Sequence, residues 1–255
     1  MANVLDVRKL TFAYPAAEQP PLIHGLSLYA EEGEFVSVVG ASGCGKSTLF
    51  KLIAGLLEPA AGEIRLGGTT APASGRLGAV AYMPQGDLLL PWRTVLGNCL
   101  LPWELKRGAP RQDVVPQILK MLERFGLAGK ATAYPEELSG GMRQRAALLR
   151  TLVAGGEPLL LDEPFGALDA ITKRELHRWL LEMWSGLSRT VLLITHDLEE
   201  ALLLSDRIYL MEAGTGRLQE IRVDLPRPRH GDMRFEPSFI ALRALLEREL
   251  DARED

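Results

Sequence analysis

The sequence predicts an α/β fold built on a mainly parallel sheet, with a helical segment inserted into it. Three observations carry that expectation. Continuous apolar runs at 35–39, 159–161 and 190–195 read as strands buried on both faces, as in a parallel sheet covered by helices. Helical spacing of apolar residues follows the first of these runs, at Leu49, Phe50, Leu52, Ile53, Leu56 and Leu57. From Thr94 to about Ala154 strand-like runs give way to helical periodicity alone.

Composition limits the function classes. The chain has 255 residues, of which 47% are hydrophobic, enough for a substantial core. Its net charge of −4 argues against nucleic acid as a partner, since such proteins show a basic footprint. Cys44 and Cys99 are the only cysteines, which is no disulfide framework and suits a reducing compartment. The N-terminus lacks the basic and apolar regions of a signal peptide. No run of about 18 apolar residues exists, so nothing is expected to span a bilayer, and any membrane role must come through a partner.

In chain order, residues 4–12 and 26–30 alternate apolar and polar and read as strands around a loop. Tyr14 sits at the end of the first, where an aromatic ring can stack on a base. The strand Phe35–Val39 then leads into Gly40-Ala41-Ser42-Gly43-Cys44-Gly45-Lys46-Ser47-Thr48, which fits G-x-x-x-x-G-K-[ST]. A glycine-rich turn between strand and helix aims backbone N–H groups at an anion, and the helix end adds partial positive charge. Lys46 would reach the β- and γ-phosphates of a nucleotide, and the Ser47 hydroxyl would complete the shell of a Mg²⁺ ion. Cys44 reads as a small filler turned away from the ligand.

Further strands are expected at 62–68, ending in a Gly-Gly turn, and at Leu77–Met83, stopped by Pro84. Gln85 follows at the carboxyl edge of the sheet, where ligands bind in α/β folds. In the helical insert, Thr94 caps one helix, Gly108-Ala109-Pro110 breaks it, and Val114–Phe125 forms a second. A third runs from Met142 to about Val153. Ser139, Gly140 and Gly141 open it and form a second possible phosphate site, with Arg143 and Arg145 in the first turn.

Leu159-Leu160-Leu161-Asp162-Glu163 is a buried strand ending in two acids. Asp162 could hold Mg²⁺. Glu163, pointing the opposite way by strand alternation, could polarise an attacking water. A turn through Asp169 starts a helix at 172–184. His196 ends the next buried strand, where it could donate to a γ-phosphate, and Asp197 caps the helix after it. Strands at 207–211 and 218–223 and an amphipathic helix at 239–250 complete the chain.

Taken together, Tyr14, Gly40–Thr48, Gln85, Leu138–Met142, Leu159–Glu163, Ala167-Leu168-Asp169 and His196 resemble the ATP-binding cassette (ABC) ATPase family, over essentially the whole chain. The resemblance implies a P-loop NTPase with an antiparallel β subdomain and an inserted helical subdomain. It implies one domain over 1–255: a nucleotide-binding core at 1–87 and 156–230, helical residues at 88–155 and a C-terminal tail at 231–255. It further implies ATP and Mg²⁺ sandwiched head to tail between two copies. Lys46 and Ser47 would grip phosphate and metal, with Gln85 and Asp162 at the metal. Glu163 would be the base and His196 the γ-phosphate switch. Ser139 and Gly141 would touch the γ-phosphate in trans, with Gly140 in the same nucleotide-binding turn, and Asp169 would reach across the dimer. The family often has Gln where this chain has Met142, which touches a side-chain contact and leaves the Ser-Gly-Gly backbone in place.

Leu89-Leu90-Pro91-Trp92-Arg93-Thr94-Val95 with Asn98, and Leu138–Arg145, are similar to the nitrate, sulfonate and taurine branch of bacterial importers, which also includes carriers of thiamine precursors. Membrane permease subunits, docking on an apolar cluster of Leu88, Leu89, Leu90 and Trp92, and a periplasmic or lipid-anchored solute-binding protein are then the implied partners. The implied location is the cytoplasmic face of the cell membrane. Another importer branch or a P-loop small-molecule kinase is the alternative, and a kinase would lack the Ser-Gly-Gly helix at 139–141.

Overall fold

The computed structural model describes residues 3–15, 20–106, 111–166, 168–184, 189–212, 215 and 217–251. The expected breaker at Gly108-Ala109-Pro110, Ala167 and the last four residues lie outside them. Among the described residues ten strands form two sheets. β1 (Asn3–Phe12), β2 (Ile23–Glu31), β4 (Ala61–Leu66) and β5 (Thr69–Thr70) make an antiparallel sheet in the order β2-β1-β4-β5. The second sheet has the order β10-β9-β3-β8-β7-β6, from β3 (Phe35–Gly40), β6 (Ala81–Met83), β7 (Leu159–Asp162), β8 (Val191–Ile194), β9 (Arg207–Met211) and β10 (Leu218–Arg222). Its five strands from β9 to β6 are parallel, and β10 closes one edge in the antiparallel sense.

The apolar runs explain the parallel sheet. Every residue of β3, β7, β8 and β9 is buried, so these strands have no solvent face to alternate with. Each fully buried Val, Leu or Ile contributes roughly 1.5–3 kcal/mol by leaving water. The register Leu161↔Leu193 and Val38↔Ile194 brings the carboxyl ends of β3, β8, β7 and β6 to one edge. The segments after those four strands carry the phosphate loop, Gln85, Glu163 and His196.

Eight helices complete the described residues: α1 (Lys46–Ile53), α2 (Ala73–Arg76), α3 (Val95–Lys106), α4 (Arg111–Arg124), α5 (Gly140–Ala154), α6 (Ala170–Trp184), α7 (Leu198–Leu204) and α8 (Pro237–Asp251). Helices α3, α4 and α5 form the helical insert, where Val95, Leu100, Ile118, Leu122 and Leu149 share one core with Met83 and Leu161 of the sheet. Cys99 is buried there too, and burial pushes its thiol up to about 12, leaving it unreactive. α8 packs back through Phe239 and Leu246 onto α7 and β9, as its amphipathic pattern predicts.

Two elements differ from the sequence expectation. α1 begins at Lys46 and not Thr48, because Gly45, in the left-handed region at φ 105°, starts the helix inside the glycine loop. The strand expected from Leu77 begins only at Ala81. Residues 73–76 instead form a helical turn whose Arg76 is buried: its Nε donates to the carbonyl of Leu52 at 3.2 Å and its Nη1 to that of Ala71. A cation on the last carbonyls of α1 is a favourable helix end, and it holds the chain out of the sheet until residue 81.

Candidate nucleotide site

The loop Gly40–Ser47 is shaped by its own residues. A Cβ on Gly40 would lie 2.5 Å from the Met211 carbonyl, so only glycine permits the approach to β9. Gly43 and Gly45 have positive φ, 81° and 105°. The Lys46 ammonium is buried and donates to the carbonyls of Gly40 and Ala41, 2.8 Å each. Cys44 is buried, its Sγ 3.8 Å from that ammonium, in keeping with a filler. The loop borders a cavity of about 310 Å³ lined by Ser42, Gly43, Gly45, Lys46, Ser47 and Thr48, and by Leu22, Gln85 and Glu163.

Of the two acids at the end of β7, Glu163 lines this cavity, and Asp162 is buried against Ser47. Ser47 Oγ donates to Asp162 Oδ1 at 3.0 Å, and the Tyr82 hydroxyl donates to Oδ2 at 3.2 Å. Burial raises the Asp162 carboxyl above the ordinary carboxylate range, against the pull of those two hydrogen bonds. A serine hydroxyl and a carboxylate side by side are hard oxygen donors. Among the described residues no group of three or more His, Cys, Asp or Glu could hold a metal alone. That donor set fits an ion such as Mg²⁺, which keeps waters and nucleotide phosphates in its shell.

Glu163 turns to partners other than those of Asp162. It lies past β7 with φ 45°, an uncommon conformation for a residue with a side chain. Its N–H still donates to the Ile194 carbonyl at 3.0 Å, while its carboxylate is turned towards two loops. Gln85 Nε2 donates to Glu163 Oε2 at 3.1 Å, and His196 Nδ1 lies 3.7 Å from the same oxygen. Residues from the ends of β6, β7 and β8 thus meet on one carboxylate at the cavity rim.

Tyr14 packs edge to face on Phe12, and its hydroxyl is 3.1 Å from Thr48 Oγ1, so it stands beside the loop. Ser139, Gly140, Gly141 and Asp169 do not line the cavity. The Ser139 hydroxyl caps α5 by accepting from Met142 N, and a Cβ on Gly141 would lie 2.7 Å from Thr172 Cγ2. The Asp169 carboxylate accepts from the N–H groups of Ile171 and Thr172 and from the Thr172 hydroxyl. The hydroxyl holds that carboxyl below its usual range. Asp197 caps α7 as expected.

The sequence reading missed Tyr82 and the ties of the Gln85 loop to α5. Arg143 Nε pairs with Asp87 Oδ2 at 3.2 Å, and Arg150 donates to the carbonyls of Asp87 and Leu88, 2.7 Å each. Arg143 in the first turn of α5, odd against the helix dipole, was the one available signal, and nothing marked Arg150. Of the apolar cluster expected here, Leu88 and Trp92 are 61% and 72% exposed, but Leu89 is a core residue at 7%.

A phosphate loop on a parallel strand, with acids and a histidine at neighbouring strand ends, defines a P-loop nucleotide-hydrolysing domain. Residues 23–166 match the ABC transporter family model. A formylaminopyrimidine import ATP-binding protein, ThiZ, of Halalkalibacterium halodurans is 46% identical over 208 residues, covering 82% of this chain and 79% of that protein. An aliphatic sulfonates import ATP-binding protein, SsuB 2, of Pseudomonas fluorescens is 44% identical over 225 residues, covering 88% and 79%. The dimeric structure of MJ0796, a bacterial ABC transporter cassette, superposes with a TM-score of 0.75 at 29% identity, covering 87% of this chain and all of that one. The same cassette is known in a dimeric post-hydrolysis state bound to ADP and Pi. The chain belongs to the ABC transporter family, as an ATP-binding and ATP-hydrolysing subunit.

Proposed function

We propose that this subunit energises import of a small organic solute through membrane permease subunits at the cytoplasmic face of a bacterial membrane. A solute-binding protein outside would deliver the cargo, of the sulfonate, nitrate, taurine or thiamine-precursor type. The named import relatives support the direction of transport. Among the described residues no helix is long and apolar enough to cross a membrane, so force must pass to separate spanning subunits.

In this reading one domain comprises the nucleotide core, an antiparallel β subdomain, the helical insert at 88–155 and the C-terminal tail. Lys46 exchanges its two loop carbonyls for β- and γ-phosphate oxygens. Ser47 and Asp162 would hold Mg²⁺, with Gln85 as a further candidate donor, and Tyr14 would stack on the adenine. When bound there, the ion would supply neutralisation of phosphate charge. Glu163 orients the attacking water and accepts its proton, and His196 donates to the γ-phosphoryl group. Ser139, Gly140 and Gly141 serve the triphosphate of a second copy, which explains why they cap α5 away from their own chain's cavity. Asp169 lies at the same junction.

The observation that carries the reading is the Glu163 carboxylate, met by Gln85 and His196 at the rim of the phosphate-loop cavity. Glu163→Gln keeps ATP affinity, accumulates a dimer on Mg-ATP and loses turnover by about 10²-fold or more. Unchanged turnover would remove Glu163 from the role of base. A monomer at saturating Mg-ATP, with the permease present, would overturn the sandwich.

A further inference from the structure

Two adjoining cavities lie away from the phosphate loop, between α6, α7 and the turn Gly231–Phe235. They measure about 160 and 210 Å³ and share Arg174, His177, Leu203 and Arg234. The inner one reaches Glu200 and His177, which are 2% and 7% exposed. Glu200 Oε2 accepts from the Thr195 hydroxyl at 3.1 Å and pairs with the Lys173 ammonium at 3.1 Å. Glu200 Oε1 and His177 Nε2 are buried with no hydrogen-bond partner, and Nε2 lies 3.7 Å from Glu200 Oε2, too long for a hydrogen bond. Buried polar atoms are normally satisfied, so the imidazole nitrogen left without a hydrogen bond at the wall of both cavities points to an acceptor that reaches it.

The outer cavity adds charge of one sign. Arg174 and Arg178 stand one turn apart on α6, and Arg234 faces them from the turn. Among the described residues, neither Arg174 nor Arg178 has a hydrogen-bond or ion-pair partner. The inner carboxylates are compensated: Lys173 pairs with Asp197 and Glu200, and Arg243 pairs with Glu199. Asp232 is the one acid lining the outer cavity, against three guanidinium groups. Leu181 and the exposed ring of Phe235 supply apolar wall. Guanidinium forks match oxyanions with paired oxygens, and apolar walls favour a carbon body.

We propose that this cleft binds a small organic oxyanion, a sulfonate or phosphate group on a short apolar body. Its head group lies between Arg174, Arg178 and Arg234, with His177 Nε2–H donating to it at the junction of the two cavities. Glu200 repels it from the inner cavity, which fixes the head group outside and the body against Leu181 and Phe235. The position matters because His177 packs edge to face on Phe165, two residues beyond Glu163, with ring centroids 4.9 Å apart. Lys173 likewise ties α6 to Asp197, the neighbour of His196. An occupant of this cleft therefore bears on the supports of both groups. The site is separate from the transport reading and does not depend on it.

The test is calorimetric titration of butanesulfonate into the full-length chain, with the phosphate loop saturated by a non-hydrolysable Mg-ATP analogue so that it cannot take the probe. Saturable binding of about one probe per chain is expected, weakened about tenfold or more in the Arg174→Gln, Arg178→Gln double variant. Both arginines are exposed, so the variant keeps the wild-type melting temperature. Should it not, the His177 imidazole resonance of the wild-type chain serves instead, and it moves as butanesulfonate is added. Absence of saturable binding to the wild type, equal affinity in a folded double variant, or a His177 signal that stays still would each overturn the proposal.

Discussion

The carboxamide of Gln85 donates to the carboxylate of Glu163 at 3.1 Å, joining the loop after β6 to the end of β7. The same loop runs on through Asp87 and Leu88 to the exposed Trp92. One hydrogen bond thus links the proposed base to the surface proposed for the permease.

Gln85→Ala breaks that link without touching Lys46 or Ser47. We expect kcat to fall by about tenfold or more, equivalent to about 1.4 kcal/mol, with little change in the KM for ATP. Steady-state phosphate release over an ATP series measures both. A rise in KM at constant kcat would place Gln85 in ground-state binding instead.

The loop is held by α5 through Arg150, whose guanidinium donates to two adjacent carbonyls. Arg150→Ala should destabilise the chain by about 2–3 kcal/mol, since both acceptors lose a charge-assisted donor. Arg150→Lys should recover less than half of that, because an ammonium cannot fork across two carbonyls. Urea unfolding of the two variants decides it, and full recovery by lysine would sink the idea.

Asp162 supplies a pH dependence. Its folded carboxyl is raised by burial, so the folded chain binds its proton more readily than the unfolded chain does. Below the raised value the folded state holds more protons, and stability falls as pH rises from the ordinary carboxylate value through the folded one. Asp162→Asn should therefore melt higher than the wild type near neutral pH without nucleotide, by ~2–4 °C if about 1 kcal/mol is relieved. The extra stabilisation that Mg²⁺ adds to ATP should disappear with it. Scanning calorimetry at several pH values reads both effects, and a variant less stable at neutral pH would contradict them.

Leu88 and Trp92 are the exposed apolar side chains of the proposed docking loop, and Leu89 beside them is core. Changing Leu88 and Trp92 together to Ser should abolish co-purification with the permease while basal ATPase activity of the isolated subunit stays within about twofold. Leu89→Ser should instead lower stability by several kcal/mol, roughly 2–5. Intact membrane assembly of the first variant would exclude this surface as the contact.

The phosphate loop, the parallel strands and the residues at their ends were readable because each is a local pattern: a glycine spacing, an apolar run, an acid after it. What stayed hidden depends on distant partners. Nothing around Tyr82 says that its hydroxyl reaches Asp162, 80 positions on. Period-two alternation sets Glu163 apart from Asp162, but says nothing of the φ of 45° at which the chain leaves the strand or of Gln85 as its partner. The run from Leu77 looked like strand, but Arg76 is drawn to the end of α1 and the sheet begins four residues later. Leu88 and Leu89 are alike on paper, and only the packing of α3 and α5 separates the exposed one from the buried one.

Lys46, spanning the carbonyls of Gly40 and Ala41, keeps the glycine mould open and in shape before any guest arrives. Nucleotide capture then exchanges one set of oxygen acceptors for another and asks little refolding of the loop. The mould is thus set ahead of its guest by a single side chain.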